Sequence, residues 1–165
     1  MAWFHRWRSA RRKECPACGA TLMPTTIPEA HGRFGTATIT LKELPVLACG
    51  ANRLHPNRYF HADFGCEFID QLFCSGEVPI SRSRGPFQVC CKCHASVKGP
   101  TISSLPVSGQ VRAQQVHVFQ VDLEAPGTMC ATCGERQVYA DRDISNDISE
   151  AILEAFKAAS LEREW

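Results

Sequence analysis

Cys90-Cys91-Lys92-Cys93 and Cys130-Ala131-Thr132-Cys133-Gly134 enclose a polar, β-like loop, and their spacing decides how the whole chain is read. In a CxxC pair one tight turn aims two thiolates at a single ion, and two such turns complete a tetrahedral zinc site. Gly134 stands where a chain turning back under a metal needs a residue that tolerates positive φ. A helical pattern follows at once, with Ile144, Ile148 and Ile152 recurring every four positions.

Working outward, the chain has 165 residues and ten cysteines. A shuffled chain of this composition would hold roughly 0.6 CxxC pairs. This one holds three, at Cys15/Cys18, Cys90/Cys93 and Cys130/Cys133, so composition does not explain them. A disulfide framework would need an oxidising compartment. The first residues lack the apolar core of a secretory signal, and no apolar run is long enough to span a bilayer. The expectation is a cytoplasmic protein whose thiols are reduced and hold metal.

The net charge of +1 conceals an asymmetry. Arg6, Arg8, Arg11, Arg12 and Lys13 crowd the first 13 residues among Trp3, Phe4 and Trp7, leaving 13 basic against 17 acidic side chains beyond them. That body is a poor phosphate-binding surface. The arm itself has the composition to stack on bases and neutralise phosphates, to lie at an anionic membrane surface, or simply to stay a solvated terminus.

The two halves follow one plan. Cys15/Cys18 match Cys90/Cys93, Cys49-Gly50 matches Cys133-Gly134, and at a constant offset of 80 Tyr59, Asp63, Phe64, Phe68 and Leu72 match Tyr139, Asp143, Ile144, Ile148 and Ile152. Where the second half has Cys130 the first has Val46, so one thiolate is missing. Four extra residues between Cys49 and Tyr59 bring in His55, which would restore a four-ligand set with Cys15, Cys18 and Cys49. His61 and Cys66 are the rival ligands, and a first half without metal is the third reading. Cys66 and Cys74 read as buried helix thiols, and Cys91 as pointing away from the ion.

These patterns predict an α+β protein of two tandem, small, zinc-stapled modules, each with short strands, knuckles and one helix. The boundaries are a basic aromatic arm at 1–14, module one at 15–74, a linker at 75–87 and module two at 88–161. Residues 20–35, with Pro24, Pro28, Gly32 and Gly35, read as loop, as does the stretch containing Gly99, Pro100 and Pro106. Strands are expected at 36–41 and 44–48, the second on an edge because of Pro45, and within 111–123. Val116 and Val118 should face one side of that last strand, and Phe119, Val121 and Leu123 the other. Helices are expected at 62–73, with Asp63 as N-cap, and at 145–161. Modules of this size have cores worth only about 3 to 5 kcal/mol, whereas a structural zinc contributes on the order of 10 to 16 kcal/mol of apparent binding energy.

With Cys90, Cys93, Cys130 and Cys133, the Cys130-to-Glu135 turn and the acid-rich helical segment after it, the second half resembles the YgiT-type zinc-finger family. That is the zinc domain of MqsA-like bacterial antitoxins. The resemblance covers residues 88 to about 158, and the first half is a divergent copy. It implies that these four cysteines hold a structural zinc and that the module presents a protein-binding surface. No helix-turn-helix follows, so repression through such a domain is not implied.

The functional expectation is a non-catalytic protein with two structural zinc ions that binds another protein, in the manner of an antitoxin or a regulatory accessory. A nucleic-acid-binding protein working through the basic arm is the alternative. An enzyme, whether zinc-dependent or redox-active through Cys15 and Cys18, comes third. No His-x-Glu occurs, no P-loop or nucleophile elbow is present, and the thioredoxin-like βαβ context is missing.

Overall fold

The computed structural model describes residues 14–60, 63–84, 87–113 and 117–161. The basic arm through Lys13, the rival ligand His61, and Val116 lie outside them. The chain is α+β. In order come β1 (Leu22–Phe34), β2 (Ala37–Cys49), α1 (Phe64–Ser75), β3 (Arg82–Arg84), β4 (Phe87–Val89), β5 (Thr101–Ala113), β6 (His117–Met129), β7 (Arg136–Val138) and α2 (Arg142–Leu161). β1 and β2 form one long antiparallel hairpin, and β5 and β6 another, every strand being 13 residues long. β2 and β6 pair from Thr38↔Glu124 to Lys42↔Gln120, giving a sheet in the order β1-β2-β6-β5, with β7 on β6.

Residues 22–34 and 101–110 are therefore strand where loop was expected, and the single strand expected within 111–123 is the end of β5 and the start of β6. The prolines that argued for loop sit where a strand tolerates them. Pro24, Pro28 and Pro106 are on the two edge strands, the positions in a sheet where proline is tolerated. Pro45 and Pro126 lie in the inner strands but beyond the five residue pairs that join β2 to β6. The strand expected in two pieces at 36–41 and 44–48 is thus one, with Glu43 at φ 57° between them.

Alternation gives the sheet one dry face. Ile39, Leu41, Phe119, Val121 and Leu123 are buried, while Thr38, Gln120 and Glu124 face water and Val118 is partly exposed. Both helices cover the dry face, and they do so crosswise. α1, from the first half, lies on β5 of the second, and α2 lies on β1 and β2 of the first. Phe68 of α1 meets Phe119 of β6 with ring centroids 4.7 Å apart, and Phe156 of α2 at 5.7 Å. Buried side chains from both halves consequently meet in one core, with a smaller cluster of Cys15, Leu22, Leu47 and Cys49 beside it.

The segment expected as a linker is built into that core. Val78 and Ile80 are buried, and the Ser81 N–H donates to the Val138 carbonyl (2.8 Å) while the Val138 N–H donates to that of Pro79 (2.9 Å). Its Ser, Gly, Pro and Arg content masks an alternating apolar pair.

The helices bury the predicted faces, Phe64, Phe68 and Leu72 in α1 and Ile148, Ile152, Ala155, Phe156 and Ala159 in α2. Asp63 occupies the N-cap of α1 but makes no side-chain cap bond. In α2 the cap is Asp141, whose Oδ1 accepts the Ile144 N–H at 2.8 Å, so this helix starts three residues early and Asp143 belongs to its first turn. Cys66 and Cys74 are exposed, against expectation. At 100° per residue Cys66 lies about 200° round from Phe64, on the opposite side of the helix.

α2 approaches β1 closely because Gly32 has no side chain. A Cβ there would collide with the Ala151 carbonyl oxygen and the Ala155 nitrogen, both of them helix backbone. Gly32→Val is expected to destabilise the chain by about 3 kcal/mol, read by thermal or denaturant unfolding. A cost below about 0.5 kcal/mol would mean that α2 does not rest on this strand.

Candidate metal centres

Each hairpin is open at one end, and a group of metal-ligating side chains closes it. In the first half the turn before β1 carries Cys15 and Cys18, and Cys49 ends β2. In the second, Cys90 and Cys93 precede β5, and Cys130 and Cys133 follow β6. Because β2 and β6 run antiparallel, the two groups lie at opposite ends of the sheet.

Three of the four corners are the same backbone device. The N–H of Cys15 donates to the carbonyl of Ala20 (2.7 Å), that of Cys90 to Ala95 (2.8 Å) and that of Cys130 to Glu135 (2.8 Å). Four residues after each of these cysteines an N–H returns to its carbonyl, from Gly19 (2.7 Å), His94 (3.1 Å) and Gly134 (2.8 Å). Those three residues have φ of 73°, 60° and 74°. Glycine meets this left-handed requirement without strain at Gly19 and Gly134. His94 meets it as a non-glycine, which is why the second knuckle lacked the glycine signature in sequence. The fourth corner is different: the chain runs from Cys49 through a turn in which Asn52 Oδ1 accepts the Leu54 N–H (2.9 Å), and returns with His55.

The structure brings Cys15, Cys18, Cys49 and His55 into one group and Cys90, Cys93, Cys130 and Cys133 into another, with the donor atoms of each group within 4.8 Å of one another. Cys15 Sγ is 3.4 Å from His55 Nδ1 and Cys18 Sγ 3.5 Å from Cys49 Sγ. Cys90 and Cys133 sulfurs are 3.6 Å apart, Cys93 and Cys130 sulfurs 3.7 Å. A tetrahedron with metal–sulfur bonds of about 2.3 Å has edges of about 3.8 Å, and slightly less where nitrogen replaces sulfur. The separations fit that solid, and they are far from the roughly 2.05 Å of a disulfide. All ten cysteines are free thiols.

Burial is graded across each group. Cys15, Cys49, Cys90 and Cys130 are buried, whereas Cys18, Cys93 and Cys133 face solvent and His55 is half-buried. The other nitrogen of His55, Nε2, lies 3.3 Å from Asn52 Nδ2, an amide nitrogen that can only donate to it.

Packing four donors this tightly splits their acidities. The N–H groups of Cys133 and Thr132 lead in bringing Cys130 down to about 6. Cys133 receives the Glu135 N–H, but burial and the neighbouring thiols Cys93, Cys90 and Cys130 outweigh it and push the thiol up to about 12. In the first group, burial works against the Cys49 thiolate, and the N–H groups of Asn52 and Ala51 with His55 and Cys18 overcome it, bringing Cys49 down to about 6. Cys18 is raised, the Ala20 N–H being outweighed by burial and by Cys49 and Cys15. A bound cation removes this mutual conflict, because its charge favours every thiolate at once.

Cys91 stands outside the second group. Its N–H donates to Gln137 Oε1 (2.8 Å), and burial, with Cys90 and Glu135 nearby, pushes its thiol up to about 11. Glu135 pairs instead with Lys92 at 3.0 Å, an exposed bridge of small energetic consequence.

No described helix is long and apolar enough to cross a membrane. Compared with known proteins, the chain matches no family model, no curated protein and no solved structure. The class that fold and site define is an α+β protein with two side-chain groups able to hold metal ions.

Proposed function

We propose that the protein is non-catalytic, that both groups hold zinc as a structural ion, and that the scaffold they clamp binds another protein. The observation that carries this reading is that each group has four donors. A catalytic zinc keeps a coordination position open for water, usually with three protein ligands, whereas four protein ligands close the sphere. Thiolate-rich tetrahedral sets with imidazole suit zinc among the available divalent ions. Reduced thiols are in keeping with a cytoplasmic protein. The antitoxin-like or regulatory accessory role is proposed from the spacing of Cys90, Cys93, Cys130 and Cys133 and the helix that follows them, the features read in the sequence as YgiT-like. Exposed apolar side chains beside each centre, Leu54 in the first loop and Met129 next to Cys130, offer contact points for a partner.

The test is affinity capture from cell extract with the zinc-loaded chain and with the chelated chain. A protein retained at fixed stoichiometry by the loaded chain alone is the expected result. Tight RNA or DNA binding by the purified chain, with no protein retained, would overturn the reading. In that case deletion of residues 2–13 would show whether the basic arm carries the binding, through its salt dependence.

A further inference from the structure

We infer that the two metal centres are coupled through α2, a brace tied at one end to the loop of the first centre and at the other to the scaffold of the second. This rests on the reading that both groups hold metal. The arithmetic of the helix suits the role: 20 residues at 1.5 Å each span about 30 Å, and the centres stand at opposite ends of the sheet that α2 crosses.

The C-terminal tie is made by residues just beyond His55. The last carbonyls of a helix have no partner within it. In α2, the Ser160 carbonyl accepts the Asn57 N–H (3.1 Å) and the Ala159 carbonyl accepts Asn57 Nδ2 (3.1 Å), while the Phe156 carbonyl, one turn earlier and already accepting the Ser160 hydroxyl, also accepts the Tyr59 hydroxyl. Asn57 is buried, and Tyr59 packs edge-on against Phe156 with centroids 5.0 Å apart. All three donors come from the segment that follows the proposed ligand His55, so the position of this ligand and the end of the helix are set by the same few residues.

The N-terminal tie runs through the second centre. Gln88, two residues before Cys90, donates from Nε2 to the Ala140 carbonyl (2.7 Å) and accepts the Ser81 hydroxyl at Oε1 (3.0 Å). The Ala140 N–H donates to Ser81 Oγ (3.0 Å), and the next residue, Asp141, caps α2. Gln137 is buried and accepts the Cys91 N–H. An ion that fixes Cys90 and Cys133 therefore fixes the start of α2, and one that fixes His55 fixes its end.

Filling either centre orders a helix that the other centre must also order, so the second ion binds a chain already arranged for it. Linkage makes the effect reciprocal. The experiment is a Co2+ titration of the full chain, because a site of four sulfurs and one of three sulfurs and a nitrogen have distinct visible spectra. His55→Ala should weaken Co2+ binding at the four-cysteine centre about tenfold, within the 5- to 150-fold usual for such coupling. Asn57→Ala with Tyr59→Phe keeps all eight donors but cuts two of the three C-terminal bonds, and in that background His55→Ala should have little further effect on the four-cysteine centre.

Tyr59→Phe alone, which leaves the aromatic packing in place, gives the milder form of the same test. Amide exchange in the last turn of α2 should quicken in each variant. Equal affinity of the four-cysteine centre with and without His55 would overturn the coupling while leaving the two-metal reading standing. A wild-type chain that shows only one of the two spectra would overturn both.

Discussion

Chelation of the metal-loaded chain at neutral pH is expected to abolish its cooperative thermal transition. A domain of this size has a net stability of about 5 to 15 kcal/mol, and each structural zinc contributes apparent binding energy on the order of 10 to 16 kcal/mol. On the two-metal reading each ion would close the open end of a hairpin of two 13-residue strands, and three of the four corners are tight turns with a left-handed residue to hold in place. Replacing the buried Cys130, one of the four proposed donors of its group, by Ser should reproduce much of this loss, by about 3 kcal/mol or more on the order-of-magnitude scale of lost metal sites. Cys74→Ser is the control, since Cys74 is exposed and outside both groups, and it should stay within about 0.5 kcal/mol of wild type. Circular dichroism melts read all three. A chelated chain that melts within a few degrees of the loaded one would refute a structural role for the metal.

The second large effect lies in the core. Phe68→Ala should cost about 3 to 5 kcal/mol, a drop of roughly 10 °C in melting temperature for a chain of this length. Phe68 is fully buried where α1 crosses onto the other half, against Phe119 and Phe156. Combined with Phe119→Ala, the two losses should be non-additive by about 1 kcal/mol, as contacting residues are. Additivity within about 0.3 kcal/mol would mean that α1 packs on its own hairpin and that the crosswise arrangement is wrong.

That arrangement was the part of the fold least legible in sequence. The repeat of Phe64, Phe68 and Leu72 in Ile144, Ile148 and Ile152 shows that two helices have like faces, but it is silent on which hairpin each face covers. The clues are small: Gly32 in β1 leaves room for the backbone of α2, and the polar Asn57 finds its partners only at that helix's end. The long strands were hidden by Pro24, Pro28 and Pro106, which break a central strand but not an edge. In the stretch 75–87, Val78 and Ile80 were too few to stand out among Ser, Gly and Pro.

The metal groups were legible because coordination chemistry constrains spacing more tightly than packing does. Three CxxC pairs announce themselves, and the grouping of His55 with Cys15, Cys18 and Cys49 follows from one missing cysteine and one insertion in an otherwise matched plan. Second contacts such as Asn52 to His55, and the left-handed His94, have no pattern that spacing reveals. The start of α2, three residues before the spacing places it, is set by Asp141, whose Oδ1 accepts the Ile144 N–H, a contact that apolar periodicity does not reveal.

The most direct test of the account is zinc X-ray absorption on the intact chain, with the metal counted by native mass spectrometry. Two zinc ions per chain, sharing seven sulfurs and one nitrogen as their averaged first shell, is the predicted result. One ion, oxygen in the first shell, or sulfurs paired as cystine would contradict it.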